Sequence, residues 1–188
     1  METTVTVKER VMSPTPILIL PGYADSEPDH WQSHWERADP ACRRVVQNDW
    51  LEPRLPDWLA TLDRYVRECD SPPVLVAHSL SCALVAHWVA TTNAAVKGAL
   101  LVAPADVDSA LHTPDEVRGF SPIPLAPLPF PSVVVASSDD PFVDPARAEA
   151  FARAWGSRLI TLPNAAHINA AAGYGPWPEG HKLLHPWL

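Results

Sequence analysis

Three places in this sequence put a side chain capable of nucleophilic, acid or base chemistry directly after a run of apolar residues. In Val74-Leu75-Val76-Ala77-His78-Ser79-Leu80-Ser81 the run ends near a serine, and a helical pattern resumes at once. In Val133-Val134-Val135-Ala136-Ser137-Ser138-Asp139-Asp140-Pro141-Phe142-Val143 it ends on two adjacent carboxylates. In Leu159-Ile160-Thr161-Leu162-Pro163-Asn164-Ala165-Ala166-His167 it ends on a histidine. A serine hydroxyl is a weak nucleophile until a base accepts its proton, and an imidazole can do that near neutral pH. A carboxylate fixes the imidazole's tautomer and stabilises the imidazolium that forms. Ser79, His167 and Asp140 are the candidate nucleophile, base and orienting acid. Asp140 is preferred to Asp139 because the Pro-apolar-Val run follows it directly. Asp106, beyond another apolar run, is the outside candidate and reads better as a loop or capping residue.

The serine's surroundings fit that chemistry. A nucleophile presented on a sharp strand-to-helix turn usually sits in Gly-x-Ser-x-Gly, because the turn is crowded two residues to either side. Ala77 and Ser81 replace both glycines and stay small. The oxyanion formed during attack needs two preset backbone donors. The N–H of Leu80, opening the helix, would be one; that of Tyr23, after Pro21-Gly22, would be the other. His78 adjoins the serine and is assigned a structural role, since neighbouring side chains in such a turn diverge. Two further pairs, His30 with His34 and His181 with His185, have an i,i+4 spacing that suits zinc. Neither has the glutamate of His-Glu-x-x-His or an evident third ligand, so they read as surface or packing histidines and no metal is expected. Gly173-Tyr174-Gly175 is no dinucleotide fingerprint, and no phosphate-binding glycine loop is present. No cofactor is expected.

Such residues need a scaffold that brings strand ends together. Ile17 to Leu20, 73 to 77, 96 to 102, 132 to 136 and 158 to 162 read as strands, with a shorter candidate at 44 to 47. Helical patterns lie between them at 28 to 37, from Pro56 onward, at 80 to 90, near 145 to 155 and within 177 to 188. Strands apolar on both faces, separated by helices, predict an α/β fold with a mostly parallel sheet covered on both sides. Ligands in such sheets bind beyond the strands' carboxyl ends, where Ser79, Asp140 and His167 all fall. The proline-rich stretch 121 to 131 is expected to be a stiff crossover loop shaping a pocket rim, with an SH3-type docking motif as its lesser alternative. Trp50 is a candidate pocket-lining residue.

Composition narrows the rest. A chain of 188 residues suits one domain, expected over 16 to 188 behind an N-terminal extension at 1 to 15. A net charge of -8 argues against nucleic acid or an anionic membrane as partner. Three cysteines without a Cys-x-x-Cys pair, and no signal-peptide or membrane-spanning pattern, fit a reducing cytoplasm. Oligomeric state is not legible.

The chain resembles the small serine hydrolases of the YdeN and retinoblastoma-binding-protein-nine family. The resembling residues are Leu20-Pro21-Gly22-Tyr23 with His30-Trp31 and Trp35, Asp49-Trp50, Ala77-His78-Ser79-Leu80-Ser81-Cys82, Pro129-Phe130-Pro131-Ser132, Ser137-Ser138-Asp139-Asp140-Pro141 and Ala166-His167-Ile168-Asn169. They run from about residue 16 to the C-terminus. Ser79, Asp140 and His167 occupy the family's triad positions, while Ser81 stands where many relatives have glycine. The resemblance implies a compact α/β-hydrolase fold and cofactor-free hydrolysis of small esters. The alternative is a binding module that kept the fold. Its docking motif, Leu-x-Cys-x-Glu in animal relatives, has only Leu80-Ser81-Cys82-Ala83-Leu84 as counterpart, without the glutamate.

Overall fold

The computed structural model describes residues 14–188, so most of the expected N-terminal extension lies outside the described residues. Six strands form one sheet: β1 (Ile17–Leu20), β2 (Cys42–Arg44), β3 (Val74–His78), β4 (Gly98–Val102), β5 (Ser132–Ser137) and β6 (Arg158–Leu162). Their order is β2-β1-β3-β4-β5-β6 and every pairing is parallel, for instance Ile17 with Val74 and Val102 with Val135. The helices between them are α1 (Trp31–Ala38), α2 (Leu55–Arg67), α3 (Leu80–Val89), α4 (Pro145–Trp155) and α5 (Pro178–Lys182).

Strand alternation divides the apolar residues between two layers. Leu18, Leu75, Leu101 and Val134 face one way, toward Trp58 and Leu62 of α2, Leu84 and Trp88 of α3, and Phe151 and Trp155 of α4. Ile17, Val76, Leu100 and Val135 face the other way, toward Trp31 and Trp35 of α1 and Leu184 near the C-terminus. Both faces are covered, which is why β1, β3 and β4 are buried throughout their length.

Four details depart from the sequence-based expectation. The second strand lies at Cys42–Arg44 rather than 44 to 47, because pairing with β1 begins where Ile17 N–H donates to Ala41 O and Cys42 enters the core. The strand expected from 96 begins at Gly98. Helix α1 begins at Trp31, not near Pro28, since His30 caps it by accepting the Gln32 N–H on its ring. The stretch 121 to 131 leads into β5 as a crossover but does not form the pocket rim. It is pinned to the end of α4 instead, where Trp155 Nε1–H donates to Pro124 O at 2.9 Å and Leu128 N–H to Trp155 O at 3.0 Å.

No helix of the described residues is long and apolar enough to cross a membrane. The strand order reverses direction at β1, so β3 and β2 flank it on opposite sides. Such a reversal leaves a crevice beyond the carboxyl ends of the two central strands. That crevice holds the site.

Candidate active site

Ser79 follows β3 directly and precedes α3, with φ 56° and ψ -120°. A non-glycine residue in that region is strained, and the strain persists only where the surroundings enforce it. Here the Ser79 N–H donates to Val102 O of β4 at 3.0 Å, and its carbonyl accepts the Cys82 N–H at 3.0 Å. Gly22 lies against the turn: a Cβ there would fall 2.8 Å from Ser79 Cβ and 3.1 Å from His78 O. The glycine that this crowded turn demands thus comes from the loop after β1. Ser81, in the position usually given to glycine, turns its hydroxyl to donate to Pro21 O, joining α3 to that same loop.

The three candidate residues meet. His167 Nε2 lies 2.9 Å from Ser79 Oγ, and Nδ1 lies 2.9 and 3.0 Å from the two Asp140 oxygens. In the neutral ring, Nδ1–H donates to Asp140 and Nε2 accepts from Ser79. The Asp140 carboxylate is fully buried and also accepts the Phe142 N–H at 2.9 Å. Asp139 points elsewhere, accepting the Ser137 hydroxyl at 2.7 Å and the Ala166 N–H at 2.8 Å. The Ser137 hydroxyl, foremost, holds its carboxyl below the usual carboxylate range. Asp106 is separate again: it pairs with Arg147 of α4 at 3.3 Å, and its N–H donates to Phe142 O.

The His167 loop is held from several elements. Ala166 and Ile168, on either side of it, both have positive φ, 42° and 47°. Ala165 N–H donates to Ser137 Oγ at the end of β5, and Asn164 N–H to Ser138 Oγ just beyond it. From α1, Trp31 Nε1–H donates to Ile168 O at 2.8 Å. From β3, His78 Nε2–H donates to His167 O at 2.9 Å, which gives His78 a structural role with a specific object. Phe142 packs edge-on against the His167 ring at 4.4 Å.

A pocket of about 240 Å³ opens at Ser79. Tyr23, Leu80, His30 and His78 form one side, and Val107, Pro114 and Val117 contribute an apolar side from the segment after β4. Trp50 is not among its walls. It packs edge-on against Trp58, and its carbonyl accepts the Ala24 N–H, steadying the Tyr23 loop. The segment after β4 supplies the wall expected of 121 to 131. It carried no recognisable signal, since Ala105, Val107 and Val117 are ordinary apolar residues until the fold sets them beside Ser79. His30, expected as a surface or packing histidine, is buried, but in the pocket wall. Burial, foremost, with the nearby His167 and Arg44, pushes its ring down to about 3. Burial likewise pushes His78 well below its usual value. Among the described residues no cluster of three or more histidine, cysteine or acidic side chains could hold a metal.

Residues 17–186 match the model of a family described as serine hydrolase. A YdeN-like hydrolase from Pectobacterium atrosepticum is 34% identical, with TM-score 0.81 over 92% of this chain and 90% of that one. The ydeN gene product of Bacillus subtilis is similar in fold, at 23% identity and TM-score 0.75 over 93% and 98% of the two chains. So is Est1E of Butyrivibrio proteoclasticus, solved with ferulic acid bound, at 14% identity and TM-score 0.70 over 93% and 89%. No curated protein sequence matches the chain.

Proposed function

Since this chain belongs to the serine hydrolase family and has the α/β-hydrolase fold, we propose that it hydrolyses small esters through Ser79, His167 and Asp140. The observation that carries this reading is the unbroken run of hydrogen bonds from Ser79, which lines a pocket, through His167 to a buried Asp140 behind it. Ser79 Oγ attacks the ester carbonyl as its proton passes to His167 Nε2, and Asp140 stabilises the resulting imidazolium. The oxyanion takes hydrogen bonds from the Tyr23 and Leu80 N–H groups. Neither N–H has another partner among the described residues, and both lie in the pocket wall. Collapse expels the alcohol, which takes the proton back from His167. Water, deprotonated by the same ring, then releases the acid and restores Ser79.

The chemistry requires no metal or cofactor. The catalytic unit is proposed to span 16 to 188, with 1 to 15 as an extension. Three cysteines without disulfides among the described residues suit a reducing, cytoplasmic setting.

A fluorophosphonate probe tests the reading, because it reacts with a base-activated serine beside an oxyanion hole. The native protein is expected to be labelled at Ser79 and to hydrolyse activated short-chain esters in the presence of chelator. Ser79→Ala should lose both labelling and turnover. Labelling that survives the substitution would shift the nucleophile elsewhere, and a folded but unlabelled native protein would favour the binding-module alternative.

A further inference from the structure

Two histidines beside Ser79 have no part in the reaction just described, and each leaves one ring nitrogen uncommitted. His30 caps α1 by accepting the Gln32 N–H on Nδ1 at 3.2 Å. A neutral ring with Nδ1 as acceptor carries its hydrogen on Nε2. That Nε2–H is buried and without a partner, on a side chain only 2% exposed. His78 has the opposite arrangement. Its Nε2 faces the His167 carbonyl, which can only accept, so Nε2 carries the hydrogen and Nδ1 is a bare acceptor. No hydrogen bond among the described residues engages Nδ1. The two rings stand edge to face with centroids 4.7 Å apart, and both line the pocket.

We propose that His30 and His78 form a hydroxyl-binding subsite beside Ser79, selecting ester substrates that carry a hydroxyl group. This rests on the hydrolase reading. A buried donor without an acceptor is rare in native proteins unless water or ligand completes it. The two neighbouring rings leave one donor, His30 Nε2–H, and one acceptor, His78 Nδ1, without a partner among the described residues. A hydroxyl matches both, accepting from the first and donating to the second. A carboxylate can only accept and would face the His78 lone pair. An ammonium can only donate and would face the His30 N–H. Burial keeps both rings neutral, so the donor–acceptor pattern does not change across the working pH range. The hydroxyl can belong to the acyl group or to the alcohol, and the two sources are separable by experiment.

The test compares kcat/KM for pairs of esters of equal size. In the acyl arm, phenyl 3-hydroxypropanoate is set against phenyl butanoate. In the alcohol arm, 2-hydroxyethyl butanoate is set against propyl butanoate. Each ratio is measured for the native protein and for His30→Asn. Asparagine retains an oxygen that can cap α1 but lacks the reach of the imidazole Nε2. Intrinsic reactivity cancels when the native ratio is divided by the variant's. The native preference for the hydroxylated ester is expected to fall about tenfold in one arm, the size of one lost hydrogen bond. Unchanged ratios in both arms, with equal melting temperatures, would overturn the subsite and leave only a resident water. A second readout is independent of turnover. The imidazole 15N–1H spectrum at pH 7 should show the His30 Nε2–H signal moving with 3-hydroxypropanoate or ethylene glycol, but not with butanoate. A signal that ignores all three, or responds to all equally, counts against the proposal. Absence of ester hydrolysis and of Ser79 labelling would instead remove the hydrolase reading, and this spectrum would still decide the subsite.

Discussion

At the residue scale, the adjacent carboxylates Asp139 and Asp140 have been given different tasks by the directions in which their side chains leave the backbone. Asp140 meets the His167 ring through both oxygens, while Asp139 meets the backbone of the same loop at Ala166. On the proposed mechanism Asp140→Asn keeps the fold but favours the wrong imidazole tautomer, and turnover at saturating ester should fall by up to ~10⁴. Asp139→Asn retains an oxygen that can still accept from Ala166 N–H and the Ser137 hydroxyl. Its cost should be about tenfold or less, the size of one weakened hydrogen bond. Rates and melting curves for both variants check this. The reverse ranking in two folded proteins would transfer the role to Asp139. Near-normal rates in both would point to a serine–histidine dyad.

At the element scale, the site depends on the close approach of the β1 loop to the turn between β3 and α3. Gly22 permits that approach, and the Ser81 hydroxyl fastens it by bonding Pro21 O. Gly22→Ala would place a methyl carbon 2.8 Å from Ser79 Cβ, so the loop carrying the Tyr23 N–H must move away. Turnover is expected to fall by about 10²–10³, the usual cost of one misplaced oxyanion donor. KM should change much less, because the apolar wall at Val107 and Val117 comes from another segment. Steady-state kinetics on one activated ester measure the split. Equal losses in KM and kcat would mean that the substitution deforms the whole pocket instead. Helix α1 acts at the same scale. Trp31 and Trp35, one turn apart, donate to Ile168 O and Pro176 O, and so hold the chain after β6 over the sheet.

Across the whole molecule, two buried neutral imidazoles tie stability to pH. The folded values of His30 and His78 lie below the usual 6.5, at about 3 for His30. The unfolded chain therefore binds more protons than the folded one as pH drops below 6.5. Their contribution is complete above that pH and drains away as pH falls, toward about 3 for His30, by at most about 1.4 kcal/mol per pH unit for each ring. His112 has the opposite sign: the Pro141 carbonyl and Asp144 raise it, so its contribution is complete at low pH and lost as pH rises. The lowered carboxylates Asp49, Asp63, Glu68 and Asp139 matter only near and below their usual values of about 4. Urea unfolding at pH 6.5, 5.5 and 4.5 should show stability declining, and His30→Asn should flatten the decline. Stability that is constant or rising over that interval would mean the two rings protonate in place. The same two histidines mark the boundary of what the sequence determined. The alternation of apolar runs with helical patterns determined the α/β fold. The positions of Ser79, Asp140 and His167 at strand ends determined which residues could meet, because a parallel sheet sends all its carboxyl ends to one side. The sequence favoured Asp140 over Asp139 through the run that follows it, but the tertiary structure supplied the reason, because side-chain direction in a loop depends on bonds such as that from Ala166 N–H to Asp139. It also decided that the segment after β4, rather than the proline-rich stretch, walls the pocket, and that His30 is buried in the pocket wall beside Ser79. Those outcomes depend on packing between segments far apart in the chain, which local residue patterns do not encode.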